Sequence, residues 1–560
     1  MNSTRFCVLA ATLGITACIF TSTWLLLGDF TFATVLFLAM QTVLVSLIAF
    51  SFCVAGAGFL SLLSNRRAGK PAEVDFATGR TAVLVPVYNE NPERVFARVE
   101  AMRRALNRAK ATESIDFVVL SDTRSADIIH REEKAFEEAR HLPCGSSIYY
   151  RRREQNVGRK AGNLQDFCQR WGVAYDYLVV LDADSLMTGE TLLAMIRRIE
   201  ANPQLGLIQT VPCPINQKTL WGRSQQFAAA AYGPIYSEGY RRFCGDSGNY
   251  WGHNAIIRRQ AFVDHCGLPI LPGKAPLGGE ILSHDFIEAA LMLRAGYGVR
   301  IDTDLGGSFE ECPTNLPAHA TRDRRWCQGN LQHLSIAIMG DLRPMSRFHL
   351  AIGVLSYISS PFWLLLLLLG FVVQAGDVSK ASTAPLSWLQ LFVIIMTLLL
   401  LPRVLAFLEI VLHQKARLFG GVLRLAASVL VETGVSVLTA PIFMLFHTRF
   451  VVTTLAGKVV RWSAQERDGS RLSWKESVHT HWWQTLAGVI ATLVVAILRP
   501  DLLVWLGPVI AGLLVSVPLS VILSDETVGN AAAQRGVLRT PSETHPPDEV
   551  VEFCNACPIK

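Results

Sequence analysis

Long runs of apolar residues stand on both sides of a more polar central block. The first two runs extend from Cys7 to Gly28 and from Ala33 to Leu63. Each is as long as the about 20 residues that an α-helix needs to cross the hydrocarbon core of a bilayer. The pattern therefore predicts two transmembrane helices within residues 1–64. Although Ile15–Cys18 is similar to a lipoprotein cleavage box, the apolar run continues beyond it, which favours an uncleaved first helix.

Five further apolar runs follow residue 350. They are Ile352–Ala375, Leu386–Leu412, Leu423–Phe446, Trp483–Leu498 and Leu502–Leu523. If all five crossed the membrane, the basic loop Arg449–Lys475 would lie outside, against the rule that basic loops stay in the cytoplasm. The third run contains Glu432 and Pro441. We therefore expect it to enter and leave on the cytosolic side, or to lie at the interface.

These runs divide the second half of the chain into four regions. We expect transmembrane and interfacial helices in 346–446, a cytosolic gating-like loop in 447–482, two transmembrane helices in 483–523 and a mobile polar tail in 524–560. The tail contains Cys554-Asn555-Ala556-Cys557. A lone pair with this spacing indicates two ordinary thiols rather than a zinc site.

The central block, residues 65–345, alternates short β-branched runs with amphipathic helical ones. The predicted strands are Thr81–Val87, Asp116–Leu120, Ile148–Tyr150 and Tyr177–Leu181, and the predicted helices between them are Pro92–Ala109, Arg131–Ala139, Lys160–Trp171 and Gly189–Ala201. This alternation predicts an α/β domain with a mostly parallel sheet, inserted between transmembrane helices. Because Arg66, Arg67 and Lys70 follow the second apolar run, we expect the domain in the cytoplasm.

Composition agrees with a membrane protein that carries one soluble domain. The 560 residues are 51% hydrophobic and 18% charged, whereas soluble domains carry about 25% charged residues. The formal net charge is +6, but no basic stretch is interleaved with aromatic residues, so nucleic acid is not an expected partner. Twelve scattered cysteines lack the dense pattern of a disulfide scaffold.

Several acidic residues follow predicted strands. Asp122 comes after the second strand, and Asp182 and Asp184 come after the fourth. Carboxylates two residues apart in a turn can share Mg²⁺ or Mn²⁺ together with bound phosphates. The segment Gly158–Asn163 opens a helix and places Lys160 in its first turn, where charge and helix dipole favour a diphosphate.

Two further motifs lie before the second group of apolar runs. In Ser283-His284-Asp285, the carboxylate of Asp285 is suited to cap a helix or to act as a general base. The segment Arg322–Asn330 gathers three arginines and Trp326. A juxtamembrane anchor has this composition, and so does a site for a leaving diphosphate next to a ring that stacks on a sugar.

The order of these motifs resembles that of the processive family 2 glycosyltransferases, which include the cellulose and hyaluronan synthases. Their Thr-Glu-Asp motif is replaced here by Ser283-His284-Asp285, and Arg322 stands where their Gln-x-x-Arg-Trp motif has Gln. With these departures the chain looks like the glucosyltransferase H family of osmoregulated periplasmic glucan synthesis. Further motifs that carry this resemblance are Val85–Glu90, Tyr150–Arg153, Gly158–Asn163, Asn249–Asn254 and Arg322–Asn330.

The resemblance implies a GT-A-type domain that transfers glucose from UDP-glucose with inversion and builds a β-1,2-linked glucan delivered to the periplasm. It implies the following roles: Val87, Tyr88, Glu90 and Asp122 at the uridine; Lys160, Asp182 and Arg325 at the diphosphate; Asp182 and Asp184 at Mg²⁺ or Mn²⁺; Asp285 as catalytic base; and Trp326, His253 and Trp251 at the acceptor. The loop with Phe450, Val452 and Thr453 is similar to a gating loop, with an interfacial helix as the alternative.

The same resemblance implies a multi-pass protein of the bacterial inner membrane. Its implied partners are the lipid bilayer, UDP-glucose, the growing β-glucan, a periplasmic glucan-biosynthesis protein and acyl carrier protein. Three other functions remain open: a cellulose- or hyaluronan-type synthase, a glycosyltransferase with a lipid acceptor, and a non-catalytic export channel.

Overall fold

The structure of the chain is a computed structural model. The structure describes residues 3–28, 31–64, 72–74, 78–109, 114–338, 340–373, 385–460 and 471–557. Arg66, Arg67 and Lys70, on which the cytoplasmic assignment depends, lie outside the described residues, and so do residues 461–470 of the predicted loop.

Helices are numbered here in chain order. They are α1 Ser3–Leu27, α2 Phe32–Leu63, α3 Pro92–Arg108, α4 Ala126–Arg140, α5 Arg159–Arg170, α6 Gly189–Glu200, α7 Leu220–Cys244, α8 Arg259–His265, α9 Asp285–Arg294, α10 Leu316–Ala337, α11 Pro344–Val373, α12 Trp388–Leu412, α13 Val422–Leu455, α14 Trp474–Leu498, α15 Leu503–Leu514, α16 Ser516–Leu523, α17 Glu526–Gln534, α18 Pro541–Thr544 and α19 Asp548–Ala556.

Strands are numbered in the same way. They are β1 Thr81–Val87, β2 Ile115–Ser121, β3 Ile148–Arg152, β4 Tyr177–Val180, β5 Leu186–Met187, β6 Leu205–Gln209, β7 Cys213–Pro214, β8 Ala255–Arg258, β9 Gly298–Ile301 and β10 Ser308–Glu310. All four predicted strands are present within two residues of their expected ends. The predicted helix Arg131–Ala139 begins five residues earlier, at Ala126.

A seven-stranded sheet in the order β3-β2-β1-β4-β8-β6-β9 forms the centre of the domain. Strands β1 to β4 are parallel to one another, and β8 alone runs antiparallel to both of its neighbours. Helices α3 and α6 cover one face, while α5, α8 and α9 cover the other. Coverage on both faces explains why β1 and β2 read as continuous apolar runs. The predicted mostly parallel α/β domain between apolar helices is confirmed.

Within the described ranges, six helices are long and apolar enough to cross a membrane: α1, α2, α11, α12, α13 and α14. A further apolar stretch, Pro500–Leu514 with Ser516–Leu523, is bent by 61°. The expected span Leu502–Leu523 is therefore broken in its middle. Together these helices make the protein a multi-pass membrane protein.

The predicted mobile tail is wrong. Residues 524–557 form α17, α18 and α19, which pack against the domain. Phe553 is fully buried and Val550 nearly so, and both join the core beneath α3. Their three-residue spacing places both side chains on one face of a short helix. A polar composition concealed this apolar face, because two buried residues are enough to dock a nine-residue helix.

Helices α2 and α7 are in backbone contact. A Cβ atom added at Gly239 of α7 would lie 1.9 Å from the carbonyl oxygen of Val54, and one at Gly58 would lie 1.8 Å from that of Ile235. Small residues at such crossings let two helix backbones approach closely. This crossing joins the second membrane helix directly to the α/β domain.

We predict that Gly239→Ala destabilises the protein by about 1–3 kcal/mol, because the added methyl group can be accommodated only by moving backbone. The matched control is Gly56→Ala in α2, where no atom outside the adjacent backbone of that helix lies within 4 Å of the added Cβ. That control should be neutral or stabilising, since alanine favours helix more than glycine does. Thermal unfolding in detergent measures both, and equal melting temperatures for the two variants would contradict the close crossing.

Candidate active site

A cleft of about 420 Å³ opens at the carboxyl ends of the parallel strands. Its walls come from the segments that follow β1, β2 and β4, from the first turn of α5, and from the starts of α9 and α10. In open α/β sheets this edge is where ligands bind, because loops from several strands converge there. The fold thus brings together residues that are up to 374 positions apart in sequence, from Pro86 to Val460.

The segment after β1 is fixed to the segment after β2. Asn89 has a positive φ of 61°, and its side-chain oxygen accepts hydrogen bonds from the backbone N–H groups of Arg124 and Ser125. Its own N–H donates to Thr123 Oγ1 at 3.0 Å, and the Asp122 N–H donates to the Val87 carbonyl at 2.9 Å. These bonds hold Val87, Tyr88 and Asp122 in one wall.

The carboxylate of Asp122 is engaged by Arg153. Two hydrogen bonds of 2.7 Å join Arg153 Nε and Nη2 to the two carboxylate oxygens, and both side chains are largely buried. Arg153 also donates to the carbonyls of Val157 and Arg159. The sequence motif Tyr150–Arg153 marked this residue, but its role as the link between Asp122 and the start of α5 required the structure.

Lys160 connects three parts of the cleft. It lies in the first turn of α5, after Gly158, whose φ of 66° suits a residue without Cβ. Its ammonium group donates to Asp182 Oδ1, directly after β4, and to the carbonyl of Gly252 at 2.8 Å. Tyr250 donates to the same carbonyl at 2.9 Å. The ammonium group of Lys160 is therefore held at the edge of the sheet, beside the N-terminus of α5.

Asp285 lies on the other side of Gly252. A Cβ added at Gly252 would lie 3.6 Å from Asp285 Oδ2, and the φ of Gly252 is 91°, so conformation favours glycine at this position. Ser283 Oγ donates to Asp285 Oδ1 at 2.9 Å, and His333 contacts the Ser283 carbonyl at 2.9 Å. The carboxylate is thus aimed from the first turn of α9 into the cleft. Ser283 was missed as a site residue, although its spacing from Asp285 was visible.

Asp184 and His253 lie behind the cleft wall. Asp184 is 6% exposed and accepts a long hydrogen bond of 3.4 Å from the Glu311 N–H. His253 Nε2 lies 3.3 Å from Glu310 Oε2. Burial lowers the pKa of His253, but the nearby carboxylates of Asp182, Glu310 and Asp184 outweigh it, so the pKa is raised above its ordinary value. Neither residue lines the cleft itself, and the acceptor role of His253 stays a prediction.

The carboxylates fit only part of a cation's coordination sphere. Within the described part of the chain, no group of three or more His, Cys, Asp or Glu side chains forms a complete metal site. Asp182 and Asp184 supply oxygens, and Mg²⁺ is commonly held by one or two carboxylates with water and substrate phosphates as its remaining ligands. The donor set therefore suits a divalent cation that arrives with a diphosphate.

Helix α10 contributes an aromatic and basic wall. Trp326 is 48% exposed, and the guanidinium carbon of Arg322 lies 4.4 Å from its ring centre. Arg325 lines the same cleft. Charge and ring face together suit a ligand that carries both phosphate and sugar.

A second cavity of about 630 Å³ lies between α2, α7 and α11 and shares Trp251 with the cleft. Six of its lining residues carry hydroxyl groups: Ser51, Tyr236, Ser237, Tyr240, Ser356 and Ser359. The backbone N–H of Trp251 donates to Gln209 Oε1 at 2.9 Å, which holds this residue between the two spaces.

The predicted loop around Phe450, Val452 and Thr453 is helical. These residues belong to the last turns of α13, which continues to Leu455. The prediction of a loop was wrong here because Phe450 is buried against Phe446, and packing extends the helix. Neither Phe450, Val452 nor Thr453 lines the cleft; Val460 does, and its N–H donates to Gln328 Oε1 at 2.8 Å.

Most of the other predicted site residues meet in the cleft. Those that line it are Val87, Tyr88, Glu90, Asp122, Lys160, Asp182, Trp251, Asp285, Arg325 and Trp326. Lining residues that sequence reasoning missed include Arg124, Asn156, Arg159 and Val460. Arg124 and Asn156 lie next to recognised motifs, and Arg159, the first residue of α5, lies within the segment Gly158–Asn163, so proximity in sequence was the available signal.

Comparison with known proteins identifies related chains. Residues 82–265 match the family model described as glycosyl transferase family 2, and residues 177–407 match glycosyl transferase family group 2. Glucans biosynthesis glucosyltransferase H of Vibrio cholerae is 44% identical over 518 residues, which are 89% of this chain and 71% of that protein. The protein of the same name from Shewanella oneidensis is 43% identical over 542 residues, 93% of this chain and 74% of that protein.

Among solved structures, a mannosyltransferase from Pyrobaculum calidifontis in complex with GDP-Man and Mn²⁺ is similar with a TM-score of 0.42. The two sequences are 15% identical, and the aligned part covers 66% of this chain and 98% of the mannosyltransferase chain.

Proposed function

Because the chain belongs to the glucans biosynthesis glucosyltransferase H family and is a glycosyltransferase, we propose that it transfers glucose from UDP-glucose with inversion to a growing β-1,2-linked glucan. One observation carries this proposal. The carboxylate of Asp285 and the Lys160–Asp182 pair lie on either side of Gly252, within one cleft. A base and a diphosphate site are thus adjacent.

The donor would lie along the strand edge. Its uridine would contact Val87, Tyr88, Glu90 and Asp122, and its diphosphate would lie near Lys160, Arg325 and the N-terminus of α5, where charge and helix dipole act together. Asp182 and Asp184 would hold Mg²⁺ or Mn²⁺, which supplies positive charge to the leaving diphosphate. The glucose would then point toward Asp285 and Trp326.

Inversion requires a single displacement at the anomeric carbon. The acceptor hydroxyl must lose its proton as it attacks, and a carboxylate within hydrogen-bond reach can take that proton. Ser283 holds one oxygen of Asp285, which leaves the other oriented for the acceptor. Lys160 and Arg325 stabilise the negative charge that builds up on UDP, and preorganised charge of this kind lowers the barrier without a covalent intermediate.

The shared wall at Trp251 supports an exit route for the product. A lengthening glucan would pass from the cleft beside Trp251 toward the mostly apolar cavity among α2, α7 and α11, since an aromatic ring can stack on a sugar. Trp326 and Trp251 would contact the acceptor. The periplasmic glucan-biosynthesis protein would receive the chain beyond the membrane, and acyl carrier protein stays a proposed cytosolic partner.

For the membrane topology we propose that α13 lies at the cytosolic interface of the bacterial inner membrane. Ser428 near its start accepts a hydrogen bond of 2.8 Å from the Leu538 N–H, and the segment after α17 is joined to the domain by the Arg223–Glu543 ion pair. His447 near its end lies 2.9 Å from Asp323 of α10. These positions are about 28 Å apart along a helix, close to the thickness of the bilayer core.

A membrane-crossing helix cannot contact one cytosolic domain at both ends. With α13 excluded, α11, α12, α14 and the bent pair α15–α16 make four crossings after the domain. That even number returns the chain to the cytoplasm, where α17 to α19 dock on the domain. The multi-pass protein thus has both its catalytic domain and its described C-terminal helices inside.

Cysteine labelling tests this topology. We expect Lys458→Cys, just beyond α13, to react with a membrane-impermeant maleimide only after cell lysis, because the segment is cytosolic. The control Pro385→Cys, in the connection between α11 and α12, should react in cells with a permeabilised outer membrane. Peptide mass spectrometry separates these sites from the native cysteines. Labelling of Lys458→Cys before lysis would refute the interfacial position of α13.

The base assignment predicts a separation of binding from transfer. Asp285→Asn should lower glucose transfer by about 10²–10⁴-fold, because a positioned general base contributes that much, while UDP binding with Mn²⁺ is unchanged. Radiolabelled UDP-glucose measures transfer, and titration calorimetry measures binding.

The counterpart variant is Asp184→Ala, which should weaken UDP binding in the presence of Mn²⁺ because an oxygen ligand is lost. Substantial turnover by Asp285→Asn would contradict the assignment of the base. Unchanged Mn²⁺-dependent binding by Asp184→Ala would contradict the assignment of the cation site.

A further inference from the structure

The C-terminal helix α19 packs directly behind the turn that carries Asp182 and Asp184. It lies against α3 and against β5, the short strand that follows the turn. Phe553 is fully buried in the domain core, and Val550 is 5% exposed. A segment at the end of the chain therefore forms part of the support for two residues placed at the diphosphate and the cation.

The first connection between α19 and the turn passes through Arg98. Its guanidinium carbon lies 4.4 Å from the ring centre of Phe553, and Arg98 Nη1 donates to the Ala183 carbonyl at 3.2 Å. Ala183 stands between the two aspartates. Arg98 is 4% exposed, and a buried cation needs partners that fix its position. The ring of Phe553 covers one face of this cation and limits its movement.

The same arginine reaches Asp184 by a second path. Arg98 Nη2 lies 2.8 Å from Glu311 Oε1, and Arg94 holds both oxygens of Glu311 at 2.7 and 2.9 Å. The N–H of Glu311 donates to Asp184 Oδ2. The position of the Asp184 carboxylate thus depends on Glu311 and its two arginine partners, and the ring of Phe553 covers one of these arginines.

The second connection passes through Glu549. Its carboxylate accepts a hydrogen bond of 3.0 Å from the backbone N–H of Gly189, the first residue of α6. Carboxylates favour this position because helix N-termini carry unsatisfied N–H groups and a partial positive charge. The segment 183–189 is therefore held at both ends. Phe553 acts on Ala183 through Arg98, and Glu549 binds Gly189 directly.

We propose that α19 is a positioning element for the Asp182–Asp184 turn, with Phe553 acting through Arg98 and Glu549 acting through Gly189. Neither residue contacts the reacting atoms. The inference rests on the proposed role of Asp184 at the cation, and it extends the site to a segment that composition alone describes as a tail.

The test compares two acidic residues of the same helix in the full-length protein. Glu549→Ala removes the partner of Gly189, whereas the control Glu552→Ala removes only an ion pair with Arg108 at the far end of α3. We expect backbone hydrogen exchange in residues 182–189 to become about 10-fold faster in Glu549→Ala, because the segment opens more readily. The control should match the wild-type protein.

Phe553→Ala should also make residues 182–189 exchange faster. Phe553→Leu should return their exchange most of the way to the wild-type rate, because leucine refills the core beneath Arg98. In turnover assays, the Mn²⁺ concentration for half-maximal activity should rise by about 5–10-fold in Glu549→Ala with a smaller change in kcat. A role in folding alone would lower the melting temperature and the active fraction and leave that concentration unchanged.

Equal exchange of residues 182–189 in Glu549→Ala and Glu552→Ala would overturn the proposal, and so would an unchanged Mn²⁺ requirement. Exchange needs no donor substrate. Failure of the donor assignment would instead appear as absent UDP binding by the wild-type protein, with the difference in exchange still present.

Discussion

The contact between Lys160 and Asp182 is the interaction on which the rest of the site depends. It joins the first turn of α5 to the end of β4, and through the Gly252 carbonyl it reaches the segment beside Asp285. A partly buried ammonium group needs anionic or carbonyl partners. Its position therefore holds the first turn of α5, the turn after β4 and the Gly252 segment together at one edge of the sheet.

Several membrane helices pack directly against this domain. At the crossing of α2 and α7, glycines allow backbone contact, and α13 contacts the segment after α17 near its start and α10 near its end. Trp251 lies where the cleft meets the cavity between these helices. The residue shared by the two spaces is thus the direct neighbour of Gly252, whose carbonyl accepts a hydrogen bond from Lys160.

Sequence reasoning succeeded where physical signals are local. The apolar runs of β2 and β4 predicted that Asp122 and Asp182 lie at one edge of the sheet, because parallel strands must end at one edge, and the segment Gly158–Asn163 predicted the position of Lys160 at a helix start. Sequence reasoning failed where side-chain packing decides whether a segment is helical. Phe450 continues a helix because it is buried, and the apolar face of α19 consists of too few residues to outweigh its polar neighbours. The link from Arg153 to Asp122 was unpredictable because it depends on strand order.

We propose that this cleft makes a β-1,2-linked glucan from UDP-glucose. The decisive experiment supplies purified protein in lipid nanodiscs with labelled UDP-glucose and Mn²⁺ or Mg²⁺, and determines the linkage of the labelled product by methylation analysis. The expected product is a polymer of 1,2-linked glucose, which a β-specific glucosidase degrades. A product with 1,4 linkages, a glucolipid without further extension, or no incorporation of glucose would contradict this proposal.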